Sequence, residues 1–328
     1  MSETTVKPGV SELLARLDTL IFDVDGVLLD VRDSIRAVNV QAVPVYLRTL
    51  PGWRAPDDLL TSDDIERFKQ AGGFNDDWDL TCAAVLLYLW KGARENSGDA
   101  AVLHPLSPTI AEFTNDIGAR GGWLRAAEAV VFEATTPDHE KTIRAQYDKK
   151  LAGRIFQELW AGDLCPRVYG YAPTINPGLG AVRRDRPLLD LSLLPGENVR
   201  LGALTGRTLS EAQLALEMVG LDSRITLPGP QGITRDDGFF KPEPFGMRTL
   251  LARLDARVAL YVGDALDDLR TVLAFRALPE AKQTMLLSVQ VLTGTVGSDA
   301  PRLFAPADVI APDVNAVLAL LRSAERPA

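Results

Sequence analysis

Short apolar runs punctuate both ends of the chain, and each stops at polar or turn-forming residues. Leu17 to Phe22 is mostly apolar and breaks at Asp23, Asp25 and Gly26. Val199 to Leu204 gives way to Thr205-Gly206-Arg207, and Val258 to Val262 to Gly263-Asp264. Runs of this length bounded by Gly, Asp and Thr predict buried strands. Arg224 to Leu227, ahead of Pro228-Gly229-Pro230, Met285 to Val289 and Val309 to Ile310 predict three more. Between them, Leu209 to Val219, Leu266 to Phe275 and Val314 to Leu321 carry apolar residues at helical spacing.

Strands that alternate with helices predict a parallel sheet covered on both faces, with all strand C-termini on one side. The polar residues that end the strands meet there, in the usual ligand crevice of such a sheet. From Val31 to Asn198 the pattern changes and is mostly helical, clearest at Ile35–Leu50, Ile65–Gln70, Leu80–Trp90, Leu124–Val131 and Lys141–Leu159. The expected fold class is therefore α/β: a Rossmann-like parallel sheet core with helices on both faces, plus an inserted, mostly α-helical cap domain. The expected organisation is a tail over 1–17, a core over 18–30 and 198–328, and the cap over 31–197. Cys165 to Asp190, rich in Pro, Gly and Arg, is expected to be irregular, and Gly118, Gly121 and Gly122 to mark a break between helical hairpins.

Charge and composition narrow the chemistry. The net charge is -9 over 328 residues, with no basic run longer than two, so a nucleic-acid partner is not expected. The most apolar window, Leu80 to Trp90, is too short to span a bilayer, so a membrane partner is not expected either. Met1 to Gly9 lacks a basic stretch followed by an apolar one, and the two cysteines, Cys82 and Cys165, lie far apart. A cytoplasmic location is the expectation. With only His104 and His139 present, three-imidazole zinc sites are excluded, leaving carboxylates, Lys, Arg and backbone amides to carry any chemistry.

Asp23-Val24-Asp25-Gly26 sets two carboxylates two residues apart at a strand end. A carboxylate attacks a phosphoryl group only when a cation offsets both charges, and a neighbouring acid can protonate the leaving oxygen. An Asx turn explains the same four residues. Gly263-Asp264-Ala265-Leu266-Asp267-Asp268 gathers three carboxylates, suited to a hard cation or to capping a helix. Thr205-Gly206-Arg207 offers a hydroxyl and amides at a helix start, and Lys241 precedes Pro242.

In this order and spacing the four segments resemble the haloacid-dehalogenase-like superfamily, over Leu20–Asp30 and Val199 to about Pro312. The resemblance implies a magnesium-dependent phosphohydrolase with Asp23 as nucleophile, Asp25 as general acid and base, Thr205 on the phosphate and Lys241 as charge clamp. It further implies phosphate contacts from Gly206 and Arg207, and a Mg2+ site of Asp23, Asp25, Asp264 and Asp268, with Asp25 giving its backbone carbonyl. The insertion falls between Asp23 and Thr205, as in the phosphoglycolate-phosphatase-like branch (subfamily IA), with a helical C1-type cap enlarged by Ala93–Arg125 or Cys165–Asp190. The implied partner is a small phosphorylated metabolite, with a homodimer left open. A phosphosugar mutase and a non-catalytic metabolite-binding protein are the alternatives.

The stretch Gly72 to Trp78 pairs glycines with an amide, acids and an aromatic, so Asn75, Asp77 and Trp78 are candidate readers of the substrate, or the start of a helix. Arg32 is a further candidate for an anionic substrate tail. The cluster Arg183-Arg184-Asp185-Arg186 reads as the same or, more simply, as solvated surface.

Overall fold

The computed structural model describes residues 4–74, 77–294 and 300–324. The chain divides into two compact units, Met1–Arg32 with Asp185–Ala328, and Asp33–Arg184.

Among the described residues the first unit is built on nine strands: β1 (Thr5–Val6), β2 (Thr19–Phe22), β3 (Leu29–Asp30), β4 (Arg186–Pro187), β5 (Arg200–Leu204), β6 (Gly232–Ile233), β7 (Val258–Gly263), β8 (Met285–Val291) and β9 (Val309–Ala311). Seven form one sheet in the order β1-β9-β8-β7-β2-β5-β6, while β3 and β4 pair as an antiparallel ribbon. Every pairing in the large sheet is parallel except that of β1 with β9. From β2 the chain winds one way through β5 to β6, and the other way through β7 and β8 to β9. β2 is therefore the strand at which the winding reverses, and its C-terminal end is the switch point where open α/β sheets bind ligands.

Alternation along the strands divides the core. Leu20 and Phe22 of β2, with Leu260 and Val262 of β7, face the helices Leu209–Val219 and Val314–Ala324. Ile21, Ala259 and Tyr261 face the opposite way, onto Met247, Leu250, Val272 and Phe275 of the helices Phe245–Arg253 and Leu266–Arg276. A strand buried on both faces needs no polar alternation, which is why these runs read as continuous apolar segments.

Two local expectations are corrected. Arg224–Leu227 is not a strand: Arg224 and Ile225 donate to the Leu221 carbonyl, and the Gln231 side chain bonds both Thr226 and Arg224, so the segment is a turn. The strand lies later, at Gly232–Ile233. Residues 1–17 hold more than a tail, since Thr5–Val6 pairs with β9, and Val10 and Leu14 of the helix Val10–Leu14 are buried in the core.

The second unit is helical. Its central helix, Asp77–Glu95, is buried continuously from Leu80 to Gly92, as the most apolar window of the sequence requires. Lys141–Leu159 is two helices, Pro137–Gln146 and Lys149–Ala161, because the Asp148 carboxylate accepts the Lys150 and Leu151 amides and starts a new one. After Val168 the chain is mostly irregular. Fully buried Glu158 holds that stretch by accepting the backbone amides of Thr174, Ile175 and Asn176, with Arg154 on its other oxygen. Among the described residues no helix is long and apolar enough to cross a membrane.

Candidate active site

Asp23 follows the last residue of β2, and its amide donates to Val262 of β7 at 2.9 Å, so the strand end fixes its backbone. The side chain is buried. Lys241 sits 2.8 Å from Asp23 Oδ1 and 2.6 Å from Asp268 Oδ1, one ammonium bridging two carboxylates. Burial alone would push that ammonium down, but Asp23 and Asp268 hold it well above its ordinary value.

Asp268 is fully buried and its oxygens are heavily used. Oδ1 accepts from Lys241 and from the Tyr261 hydroxyl at 2.7 Å, and Oδ2 accepts the Asp264 and Ala265 amides at 3.1 and 3.0 Å. It is the N3 member of the cap on the helix Leu266–Arg276, so the same carboxylate starts the helix, fixes the Asp264 loop and orients Lys241. Oxygens of Asp23, Asp264 and Asp268 lie within 4.8 Å of one another.

The crowding raises the proton affinity of two of these carboxylates, Asp23 and Asp264. Burial first, then Asp268 and Asp25, push Asp23 up to about 7 against the opposing pull of Lys241. Burial first, then Asp268 and Asp23, raise Asp264 well above the carboxylate range. Such a cluster either retains protons or takes a cation. Hard oxygen donors with excess negative charge suit a divalent ion, and the cluster is capable of holding one. Asp268 would give up hydrogen bonds to serve as a direct ligand, so Asp23 and Asp264 are the freer donors.

Tight backbone turns shape the Asp264 pocket. Gly26 has φ 72°, a conformation costly for any other residue, and a methyl there would stand 2.0 Å from Asp264 Oδ2. A methyl on Gly294, in the turn after β8, would stand 2.2 Å from the same oxygen, and the neighbouring Thr293 hydroxyl donates to the Gly26 carbonyl. Gly26→Ala is therefore expected to displace Asp264 and weaken divalent-cation binding about 10- to 100-fold with the fold retained, as measured by calorimetric titration and thermal melting.

Thr205 is buried beyond the end of β5, its amide donating to Ile233 at 3.1 Å and its hydroxyl accepting the Arg207 amide at 3.2 Å. Gly206 is exposed, with open space above it. Arg207, expected on the phosphate, has a buried guanidinium that grips Asp25, with Nη2 to Oδ1 at 2.6 Å and Nε to Oδ1 at 3.0 Å. Asp25 thus has its carboxylate on Arg207, and only its backbone carbonyl is left for the cation role expected of it. Asp185, buried, lies 3.6 Å from the same guanidinium nitrogen.

Three of the candidate substrate readers, Arg32, Asp77 and Trp78, have local contacts. Arg32 forms a two-point pair with Asp30, at 2.9 and 2.6 Å. Within the helical unit, Asp77 lies 2.7 Å from Lys69 and accepts from Asn39 at 2.8 Å, and the Trp78 ring packs against Gly153. Gly73 lies against the Trp123 ring, so this glycine serves packing between two turns. Asn75 lies outside the described residues. Sequence reasoning missed Tyr261, Asp185 and the Thr293-Gly294 turn. Only Tyr261 left a signal, a hydroxyl in an otherwise apolar strand three residues before Asp264.

No protein-family model and no curated protein matches the sequence. Solved structures do match. A phosphatase from Thermococcus thioreducens superposes with a TM-score of 0.59 at 20% identity, covering 94% of this chain and 99% of its own. A structural-genomics target solved by X-ray crystallography gives 0.56 at 19%, with the same coverage. What they share with this chain is the fold. It is a Rossmann-like sheet core with an inserted, mostly helical region. The inserted helical unit begins at Asp33, ten positions after Asp23.

Proposed function

We propose that this protein is a magnesium-dependent phosphomonoester hydrolase that acts on a small phosphorylated metabolite through an aspartyl-phosphate on Asp23. The observation that carries the reading is the joining of Asp23, Lys241, Asp264 and Asp268 at the end of the strand where the sheet's winding reverses. Asp23, Asp264 and the Asp25 carbonyl would hold Mg2+, whose charge lets one anion approach another. An Asp23 oxygen attacks phosphorus, the ester P–O bond breaks, and Asp25 gives its proton to the departing alkoxide. A water then gives a proton to the Asp25 carboxylate while its oxygen attacks the same phosphorus. The P–O bond to Asp23 breaks, releasing inorganic phosphate, freeing the Asp23 carboxylate and leaving Asp25 protonated for the next turnover. Lys241 neutralises Asp23 between turnovers and meets phosphate oxygens during them, and Thr205 and the Gly206 amide would meet the phosphoryl group from beyond the end of β5, the strand beside β2.

The fold neighbour named as a phosphatase supports this chemistry. The placement of the insertion favours the phosphoglycolate-phosphatase-like branch, and a cytoplasmic location agrees with two buried free cysteines. A mutase would retain the phosphoryl group, and a binding protein would have no use for the Lys241-held nucleophile.

The test is a screen of phosphorylated acids, polyols and sugars with Mg2+, read as released inorganic phosphate. Steady release is expected from at least one, and Asp25→Ala is expected to slow turnover of that alkyl phosphate by about 10²- to 10⁴-fold. No release from any member, or an Asp25→Ala variant as fast as the parent, would overturn the reading.

A further inference from the structure

In the Asp25–Arg207–Asp185 chain each link joins segments apart in sequence. Arg207 reaches Asp25 across 182 positions. Two of its three guanidinium nitrogens are on the Asp25 carboxylate, Nη2 on Oδ1 and Nε shared between Oδ1 at 3.0 Å and Oδ2 at 3.2 Å. The Arg207 side chain is 6% exposed, that of Asp25 41%. One end of the pair is thus sealed in protein and the other is open to the crevice.

Asp185 anchors the sealed end. Its side chain is fully buried, 3.6 Å from Arg207 Nη2. The local fold explains how it arrives there. β3 and β4 pair Asp30 with Arg186 and Leu29 with Pro187, and the Leu188 amide donates to Leu28 at 2.9 Å. The residues after Asp25 are therefore zipped to those after Asp185, and the turn between is closed by the Gly26 amide on the Leu29 carbonyl at 2.8 Å. Arg207 is held from its own side, its amide on Thr205 and its carbonyl accepting Arg235 at 2.9 Å. A planar fork seated this way fixes both the position and the rotation of a carboxylate, which a point-charge ammonium cannot do.

We propose that Arg207 and Asp185 are positioning residues that hold the Asp25 carboxylate in the orientation its proton transfers require. The proposal rests on the phosphohydrolase reading and assigns Arg207 to Asp25 rather than to the phosphate. Attack by Asp23 on an aryl phosphate needs no proton for the leaving group, whereas attack on an alkyl phosphate does. A misoriented Asp25 therefore slows alkyl turnover and the water step, and spares the first step with an aryl ester.

The experiment compares Arg207→Lys and Asp185→Asn with the parent, after thermal melting has shown which variants fold. Both changes keep volume or charge, so one of the pair suffices if the other is unstable. The readouts are alkyl phosphate turnover and the pre-steady-state burst of 4-nitrophenolate from 4-nitrophenyl phosphate, each with its concentration dependence. The expected result is a loss on the alkyl ester at least about 30-fold larger than the loss in burst rate, within the range that a general acid supplies. Half-saturation for the two esters should move less than about threefold, as for a residue that touches neither substrate. Equal losses in both rates, or half-saturation raised for both esters, overturn the positioning role and return Arg207 to the phosphate. A parent that gives neither a burst nor released phosphate with any ester overturns the phosphohydrolase reading itself, and this role with it.

Discussion

Replacing Asp23 with Asn is expected to cut turnover by at least about 10⁴-fold while leaving the protein folded. The change removes a negative charge and almost no volume. Burial and the neighbouring carboxylates already raise the proton affinity of Asp23, so an uncharged amide costs the buried site little in stability. What it cannot do is attack phosphorus, and no other carboxylate at the strand end carries the Lys241 ammonium at 2.8 Å in a position fixed by the strand end. Asp268, the other partner of Lys241, spends its oxygens on Tyr261 and two backbone amides. The check is phosphate release by Asp23→Asn beside the parent, with melting curves for both. A variant that retains a tenth of parental activity removes Asp23 from the chemistry.

Withdrawal of divalent cation is expected to abolish activity, and its return to restore it, with a dependence on pH set by the same carboxylates. With Asp23 pushed up to about 7, a cation arriving below that pH must displace a proton. Its affinity should therefore rise by at least roughly tenfold per pH unit from about pH 5 to about pH 7. Stability runs the other way in the cation-free protein. Below about pH 4 the folded and unfolded chains both hold the Asp23 proton; between about 4 and 7 only the folded chain does, so folding weakens as pH rises; above 7 neither holds it. Magnesium should thus raise the melting temperature more at pH 7.5 than at pH 5.5. Asp264→Ala should raise the magnesium requirement by at least about 100-fold, since it removes a donor that Gly26 and Gly294 hold in place. Full activity in excess chelator, or an affinity that falls from pH 5 to 7, contradicts the assignment.

The parts of this site that local pattern dictates were legible in the sequence. Leu20-Ile21-Phe22 and Val258 to Val262 are apolar because both faces of β2 and β7 are covered, and each run ends where an acid is needed at the crevice. Asp23, Thr205 and Asp264 follow directly from those ends. Arg224–Leu227 misled because its apolar residues, Ile225 and Leu227, fill the core from a turn; burial without alternation does not separate the two.

Pairings made by topology left no such trace. Nothing local connects Arg207 to Asp25, because their proximity follows from β5 lying beside β2. Asp185, between arginines, has the composition of solvated surface, yet the ribbon of β3 and β4 buries it. Asp268 read as a member of the cation site, but its four donors, from a lysine 27 residues upstream, a strand tyrosine and its own helix start, left no trace in the sequence. The helical unit gave up its helices but not its chemistry: Asp77 and Trp78 find partners within that unit, in Lys69, Asn39 and Gly153.

The central claim is that phosphate passes through Asp23. It is tested most directly by mixing the parent protein with a turned-over phosphomonoester labelled at phosphorus, quenching in acid within a turnover, and mapping the label by peptide mass spectrometry. The account predicts an acid-stable, base-labile phosphate on the Asp23 carboxylate, absent from Asp23→Asn. Label on another residue, or product released with no labelled protein at any quench time, would contradict it.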